Sequence, residues 1–194
     1  MPQELLEPQT TYRRKLHDVA LENYGYVTTR MAAGLGIPVV ELGKLSARHK
    51  FSSIPALTKL AYGLYRFDDI PITSRDQFME AVLRVGPDAY LVGDAVLALH
   101  DLALVNPRRI RVGTPRRLRP NLPDSIEMVL MPLPPEDLTN YEGIPSATVA
   151  RALLDCRATV MQDRLLAAAH KAREEGLLRR GEVDRVLAEL EKPL

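Results

Sequence analysis

Basic side chains are the residues of this 194-residue chain whose types and spacing best fit a defined chemistry, the binding of phosphate. Between Thr10 and Phe67 there are nine basic residues and three acids. Between Arg108 and Arg119 there are six arginines and no acid, although the whole chain has a formal charge of only +1. Two basic regions in a balanced chain indicate contact with a polyanion such as nucleic acid. Charge alone does not exclude the alternative, a solvated surface that is unevenly charged and binds no polyanion.

Residues for catalysis form no recognised pattern. The chain has no glycine-rich phosphate loop, no His-Glu-x-x-His and no Gly-x-Ser-x-Gly. The four histidines are scattered, and Cys156 on an apolar helical face predicts a small core residue rather than a nucleophile. We therefore expect a binding protein with no cofactor, no metal and no catalytic residue. Phosphoryl transfer remains an alternative, since it needs carboxylates and a cation. The candidates for it are Asp94, Asp101, Lys171 and Arg173.

Composition defines the class of protein. A hydrophobic content of 46% with 26% charged residues is ordinary for a globular chain. One cysteine excludes an internal disulfide and fits a reducing compartment. No apolar run approaches the roughly 20 residues of a membrane span. The acidic N-terminus lacks the basic and apolar regions of a signal peptide. We expect a cytoplasmic protein with no membrane partner.

The elements that position the first basic region begin with two helices. Apolar residues three and four positions apart predict a helix over residues 12–24, which Gly25 ends. Thr28 or Thr29 can cap a second, short helix, and Gly36 supplies the turn that follows it. The predicted inward residues of the second helix are Met31, Ala32 and Leu35.

A third helix and a hairpin follow. Pro38 fits the first turn of the third helix, because its missing N–H has no partner there. The apolar residues of this helix are Val39, Val40, Leu42 and Leu45, and its outward side carries Glu41, Lys44 and Arg48. The segments "SIPALTKL" and "GLYRF" predict two strands joined near residues 61–63.

Three helices and a hairpin in this order predict a winged helix-turn-helix domain over residues 10–70. In such a domain the third helix enters the major groove and the wing meets phosphates. The predicted DNA-binding residues are Thr29, Arg30, Lys44, Arg48, His49, Lys50, Lys59 and Arg66. Arg66 can alternatively pair with an acid of the second domain. A winged head that docks a protein is the other interpretation, since the early exposed face of the third helix lacks Arg, Asn and Gln.

The remaining residues, 71–194, predict a second α/β domain, so the fold class is mixed α/β (α+β). "AYLVGDAVLALHDL" predicts a strand leading into a helix that Asp94 caps. "RRIRVGTP" and "SIEMVLMPLP" predict strands, and the C-terminal region predicts helices interrupted at residues 176–181.

The arginine-rich segment of the second domain leaves three interpretations open: a second DNA contact, a docking face for an acidic partner, or an edge strand protected by charge. We favour contact with DNA or a partner. Its residues are Arg108, Arg109, Arg111, Arg116, Arg117 and Arg119.

Several short motifs, in their order, resemble the AbiEi family of antitoxins. They are "GYVT" at residues 25–28, Ala32 with Gly36-Ile37, "GLYR" at residues 63–66, "AYLVGDAVLALHDL", and "GIPSATVARALLD" at residues 143–155. The resemblance spans the chain from about residue 12 onward. It implies an antitoxin that neutralises a nucleotidyltransferase-like toxin, by binding or by modifying it, and that binds double-stranded DNA of its own promoter as a repressor. It also implies that the body strands and C-terminal helices contact the toxin.

Overall fold

The computed structural model describes residues 8–47 and 56–192, except the side chains of residues 8–10 and 180. The chain divides into two compact units, one ending at Leu83 (unit 1) and one starting at Arg84 (unit 2). Unit 1 therefore extends beyond residue 70, where the sequence analysis ends its first domain. The described residues form eight α-helices and two sheets, which confirms the mixed α/β class.

Unit 1 alternates helices with a small antiparallel sheet. Its elements are α1 (Pro8–Leu21), β1 (Tyr26–Thr28), α2 (Thr29–Gly34), α3 (Val39–Ala47), β2 (Leu57–Ala61), β3 (Leu64–Phe67) and α4 (Asp76–Val85), the last crossing into unit 2. The sheet order is β1-β3-β2, so β3 lies at its centre. The predicted hairpin is confirmed as β2–β3.

Local chemistry explains where these elements begin and end. Thr28 caps α2, and its hydroxyl accepts the backbone N–H of Met31 at 3.1 Å. Gly25 has φ +87° and Gly63 has φ +71°, conformations that side chains with a Cβ rarely adopt. Pro38 immediately precedes α3 instead of lying in its first turn.

The core of unit 1 forms from all three leading helices and the sheet. Its buried residues are Leu16, Ala20, Val27, Ala32, Ile37, Leu42, Leu45, Leu57, Tyr65 and Phe67. Three apolar residues of the predicted helix pattern lie outside this core. Leu35 is 36% exposed, Val39 52% and Val40 61%. Leu35 was therefore wrongly predicted to face inward.

The described residues of unit 2 form a five-stranded mixed sheet and four α-helices. Its elements are β4 (Tyr90–Leu91), α5 (Asp94–Leu99), β5 (Ile110–Thr114), β6 (Ile126–Leu130), β7 (Leu138–Tyr141), β8 (Ile144–Ala147), α6 (Val149–Asp155), α7 (Gln162–Glu174) and α8 (Arg180–Glu191). The sheet order is β6-β5-β4-β8-β7, with parallel pairs β5–β6 and β4–β8. Because β5 has a neighbour on each side, the edge-strand interpretation of the arginine-rich segment is wrong.

Two further predictions for unit 2 need correction. Gly93, with φ +56°, is the N-cap of α5, and Asp94 is the first helical residue, so Asp94 does not cap the helix. The C-terminal break is shorter than predicted, because Gly181 lies inside α8. Among the described residues, no helix is both long and apolar enough to cross a membrane.

Candidate functional site

Two of the predicted DNA-binding cations are available to an anionic ligand. Arg30 on α2 and Lys59 on β2 are exposed, and neither forms an ion pair with a residue in the described ranges. Lys44 on α3 is also exposed, but its ammonium lies 2.7 Å from the carboxylate of Glu41. Lys44 therefore has to exchange this partner before it can hold a phosphate.

Of the other predicted DNA-binding residues of unit 1, Thr29 is described by the structure and three lie outside the described ranges. Thr29 is partly buried, and its backbone N–H donates to the carbonyl of Gly63 at 2.9 Å, which joins the start of α2 to the hairpin turn. Arg48, His49 and Lys50 lie outside the described residues.

Arg66 is largely buried and pairs with Asp76. Its side chain is 10% exposed, and one guanidinium nitrogen lies 3.1 Å from a carboxylate oxygen of Asp76. The same nitrogen donates to the carbonyl of Ile70 at 2.8 Å, and a second donates to the carbonyl of Phe67 at 3.2 Å. A guanidinium held in this way cannot also reach a phosphate, so we remove Arg66 from the DNA-contact set. The partner is an acid of residues 71–194, as the alternative for Arg66 predicted, although the division of the chain after Leu83 includes Asp76 in unit 1.

Asp76 was missed by the sequence analysis, although a signal for it exists. Thr73 and Asp76 have the Thr-x-x-Asp spacing of a capping box. One oxygen of Asp76 accepts both the backbone N–H of Thr73 at 2.8 Å and its hydroxyl at 2.7 Å. The other oxygen receives Arg66, so Asp76 joins the start of α4 to β3.

The exposed face of α3 is smooth and mostly apolar. It consists of Val39, Val40, Gly43, Lys44 and Ala47, which we call the α3 stripe. Residues three and four apart share a helix face, so Val40, Gly43, Lys44 and Ala47 form one row. At the hairpin tip, Tyr62 is 99% exposed. The apolar spacing of α3 did not predict that the valines are exposed. Val39 lies three residues before Leu42, a spacing that predicts a shared buried face, yet only Leu42 is buried.

The arginine-rich segment of unit 2 presents most of its charge to solvent. Arg108, Arg109, Arg117 and Arg119 are exposed and form no ion pair with another described residue. Arg116 is paired with Asp88. Arg111, on β5, is only 32% exposed and lies 3.8 Å from Glu127. Four of the six arginines are therefore available to a ligand, while the other two have intramolecular partners.

A cluster of ionisable groups surrounds Gly93, and sequence spacing did not reveal it. A Cβ at Gly93 would lie 3.5 Å from the Arg111 guanidinium and 3.8 Å from the thiol sulfur of Cys156. Burial raises the pKa of Asp94 and of Asp155, and the charge of Arg111 opposes both shifts. One oxygen of each carboxylate is buried without a hydrogen-bond partner. Perturbed carboxylates beside an arginine are a common feature of functional sites and also of structural ion-pair networks.

Cys156 is confirmed as a buried core residue. Burial, reinforced by the charges of Asp94 and Asp155, raises the pKa of its thiol to about 12. A thiol with such a pKa stays protonated near neutral pH and is a poor nucleophile. Within residues 8–47 and 56–192, no group of three or more His, Cys, Asp and Glu side chains could hold a metal ion.

The candidate residues for phosphoryl transfer come together only in part. The ammonium of Lys171 donates to the backbone carbonyl of Asp101 at 2.9 Å, whereas Asp94 lies beside Arg111. Asp101, Ala103 and Leu104 all have φ between +49° and +57°, an unusual conformation for residues other than glycine. They line a cleft of about 180 Å³ together with Arg164, Ala167, Ala168 and Lys171 of α7. The cleft is chiefly apolar and suits a side chain of a partner better than a phosphate.

Comparison with known proteins finds no protein family that matches the chain, and no curated protein matches it either.

Proposed function

We propose that unit 1 is a winged helix-turn-helix domain that binds double-stranded DNA, and that the chain is a cytoplasmic antitoxin that represses its own promoter. The observation that carries DNA binding is the order of elements in unit 1: α2, a turn at Gly36, α3, and then the β2–β3 hairpin. Such an arrangement lets α3 enter the major groove while the hairpin lies along the backbone.

Charge supports the same proposal. From Thr29 to Phe67 the sequence has five basic residues besides the buried Arg66, and one acid. Arg30 and Lys59 lie on α2 and on the hairpin, the two elements that would flank the groove-reading helix. Phosphate contacts of this kind supply affinity and orientation but no sequence choice.

The antitoxin part of the proposal rests on the order of the motifs that resemble the AbiEi family. "GLYR" spans the hairpin turn and β3, and "GIPSATVARALLD" spans β8 and α6. In unit 2 the apolar cleft beside α7, with Leu104 86% exposed, supports a contact surface for a nucleotidyltransferase-like toxin. The arginine-rich segment supports either the toxin or a second DNA contact.

Fluorescence anisotropy on the purified chain tests DNA binding. The probes are a duplex from the region upstream of its own gene and a scrambled duplex, each at low and at physiological salt. We expect the upstream duplex to be preferred at physiological salt and Arg30→Ala with Lys59→Ala to weaken binding to both. Arg185→Ala on α8 removes an exposed charge elsewhere and should have little effect. Equal, salt-sensitive binding to both duplexes, or no binding, would contradict the repressor part of the proposal.

A protein-binding head is the second candidate, and the exposed valines of α3 favour it. Co-expression with the nucleotidyltransferase-like toxin separates the candidates. A stable complex and restored growth, with no DNA binding by the chain, would support the protein-binding head. A covalent mass change that the toxin retains after separation would instead support the enzymatic alternative, for which the cluster around Gly93 offers the ionisable groups.

A further inference from the structure

We infer that α3 recognises thymine in the major groove, through contact of Val39 and Val40 with the C5-methyl group. This inference rests on the proposed function, since it requires that unit 1 bind DNA through α3. It adds to that function the chemical feature of the base that the helix reads.

The two valines are available for such a contact. Val39 and Val40 are 52% and 61% exposed, while Leu42 and Leu45 supply the buried side of the same helix. β-Branched side chains have one strongly preferred rotamer in a helix, so both present a fixed apolar surface at little entropic cost. They lie in the first turn of α3, the end of a recognition helix that contacts base edges.

Side chains free to read base edges by hydrogen bonds are few on the described part of this helix, residues 39–47. The sequence of α3, "VVELGKLSA", contains no Arg, Asn or Gln, and Lys44, which can bond guanine, holds Glu41 instead. Glu41 could accept from cytosine, but its carboxylate holds Lys44 at 2.7 Å and is only 13% exposed. The contact that remains for the first turn of α3 is apolar, and thymine is the only base that presents a methyl group in the major groove.

The rest of the α3 stripe permits a close approach. A Cβ at Gly43 would meet no atom within 4 Å, and Ala47 continues the row with a single methyl group. A helix with small residues on its outer side can lie deep enough for two valines to reach the floor of the groove. Apart from the buried Arg66, the surrounding segment has five basic residues to one acid, which complements DNA better than a neutral protein surface.

Deoxyuridine provides the test, because it pairs as thymine does but lacks the methyl group. Anisotropy with the full chain compares the upstream duplex with duplexes in which single thymines become deoxyuridine. At the contacted positions we expect affinity to fall about fourfold per buried methyl group. In Val39→Ala/Val40→Ala the thymine and deoxyuridine duplexes should bind equally. Ile72→Ala, which alters another exposed apolar residue of unit 1, should keep the difference.

The possible outcomes distinguish a failure of thymine recognition from a failure of the proposed DNA binding. Sequence-specific binding with no loss at any deoxyuridine position would overturn thymine recognition and leave DNA binding intact, as expected if the stripe binds a protein. A loss that persists unchanged in the double valine variant would also overturn it, since other residues would then contact the methyl group. If no duplex binds, both the proposed function and the inference fail.

Discussion

The buried pair of Arg66 and Asp76 shows how a residue in a plausible DNA-binding motif can have a structural role. The Asp76 side chain is only 6% exposed, and Arg66 also donates to the carbonyls of Phe67 and Ile70. Removing one member of such a pair leaves the other charge buried without compensation. The energetic consequence should therefore appear in stability, with or without DNA.

We expect Arg66→Ala to lower the free energy of unfolding of unit 1 by about 3 to 5 kcal/mol. Urea unfolding followed by circular dichroism measures the change. Lys59→Ala, on the neighbouring strand and exposed, is the matched control and should stay within about 0.5 kcal/mol of the wild type. An Arg66→Ala protein as stable as the wild type would contradict the structural role.

The thiol of Cys156 gives unit 2 a predicted pH dependence. Its pKa is about 12 in the native state, against an ordinary value near 9. Between these values the unfolded chain loses the proton while the native chain retains it, so stability should fall as pH rises through this range. Below pH 9 both states are protonated and the thiol has no effect.

Comparison with Cys156→Ala isolates this contribution from other groups that titrate at high pH. The wild type should lose stability more steeply above pH 9, by up to about 1.4 kcal/mol per pH unit. The measurement is the urea midpoint of unit 2 across pH 8 to about 11. Parallel curves for the two proteins would show that the native thiol ionises as readily as the unfolded one.

At the level of elements, local signals predicted which helices and strands exist better than which residues they bury. The cap of α2 at Thr28 or Thr29 and the hairpin turn near residues 61–63 follow from chemistry that acts within four residues, and the structure confirms both, with Thr28 as the cap. The exposure of Val39 depends on how α3 packs against α1, α2 and β2, which no local pattern contains. Sheet order is equally non-local, and β5 was therefore open to assignment as an edge strand.

The candidate site was predictable to a similar extent. The exposure of Arg30 and Lys59 could be predicted from their charge and from the helix and strand in which they lie. The burial of Arg66 and the grouping of Arg111, Asp94 and Cys156 require contacts between residues far apart in the chain. Tertiary packing decides such contacts, so sequence spacing could not show them.

Gly43 allows a prediction about α3 as an element. It lies inside the helix, in the α3 stripe, where alanine would ordinarily be more stable than glycine. Gly43→Ala should raise stability by about 0.5 to 1 kcal/mol, since the added methyl meets no atom within 4 Å and restricts the unfolded chain. The same methyl would hold α3 away from the floor of the major groove, so specific DNA affinity should decrease. Urea unfolding and anisotropy on one preparation measure both effects.

Opposite signs for stability and affinity would be difficult to explain by a damaged fold. An increase in both would instead show that the outer side of α3 does not approach the DNA closely. A decrease in both would mean that the conformation of Gly43 matters to α3 itself.

At the level of the whole molecule, the question is whether units 1 and 2 bind one duplex together. Each unit has its own exposed cations, Arg30 and Lys59 in unit 1 and the arginine-rich segment in unit 2. Each phosphate that a cation neutralises releases counterions, so the slope of log affinity against log salt reports how many phosphates the protein neutralises. The slope therefore separates a DNA role for the arginine-rich segment from a role in binding a protein.

We expect Arg117→Ala with Arg119→Ala to lower the magnitude of that slope by about 0.9 for each phosphate that the variant no longer neutralises. Arg30→Ala with Lys59→Ala should do the same, and the two effects should add in the combined variant if both units bind the same duplex. Anisotropy titrations between 50 and 200 mM salt, on the order of the range in which such slopes are resolved, provide the measurement. A slope that responds only to the unit 1 variant would assign the arginine-rich segment to a protein partner, because binding to an acidic protein does not alter counterion release from DNA.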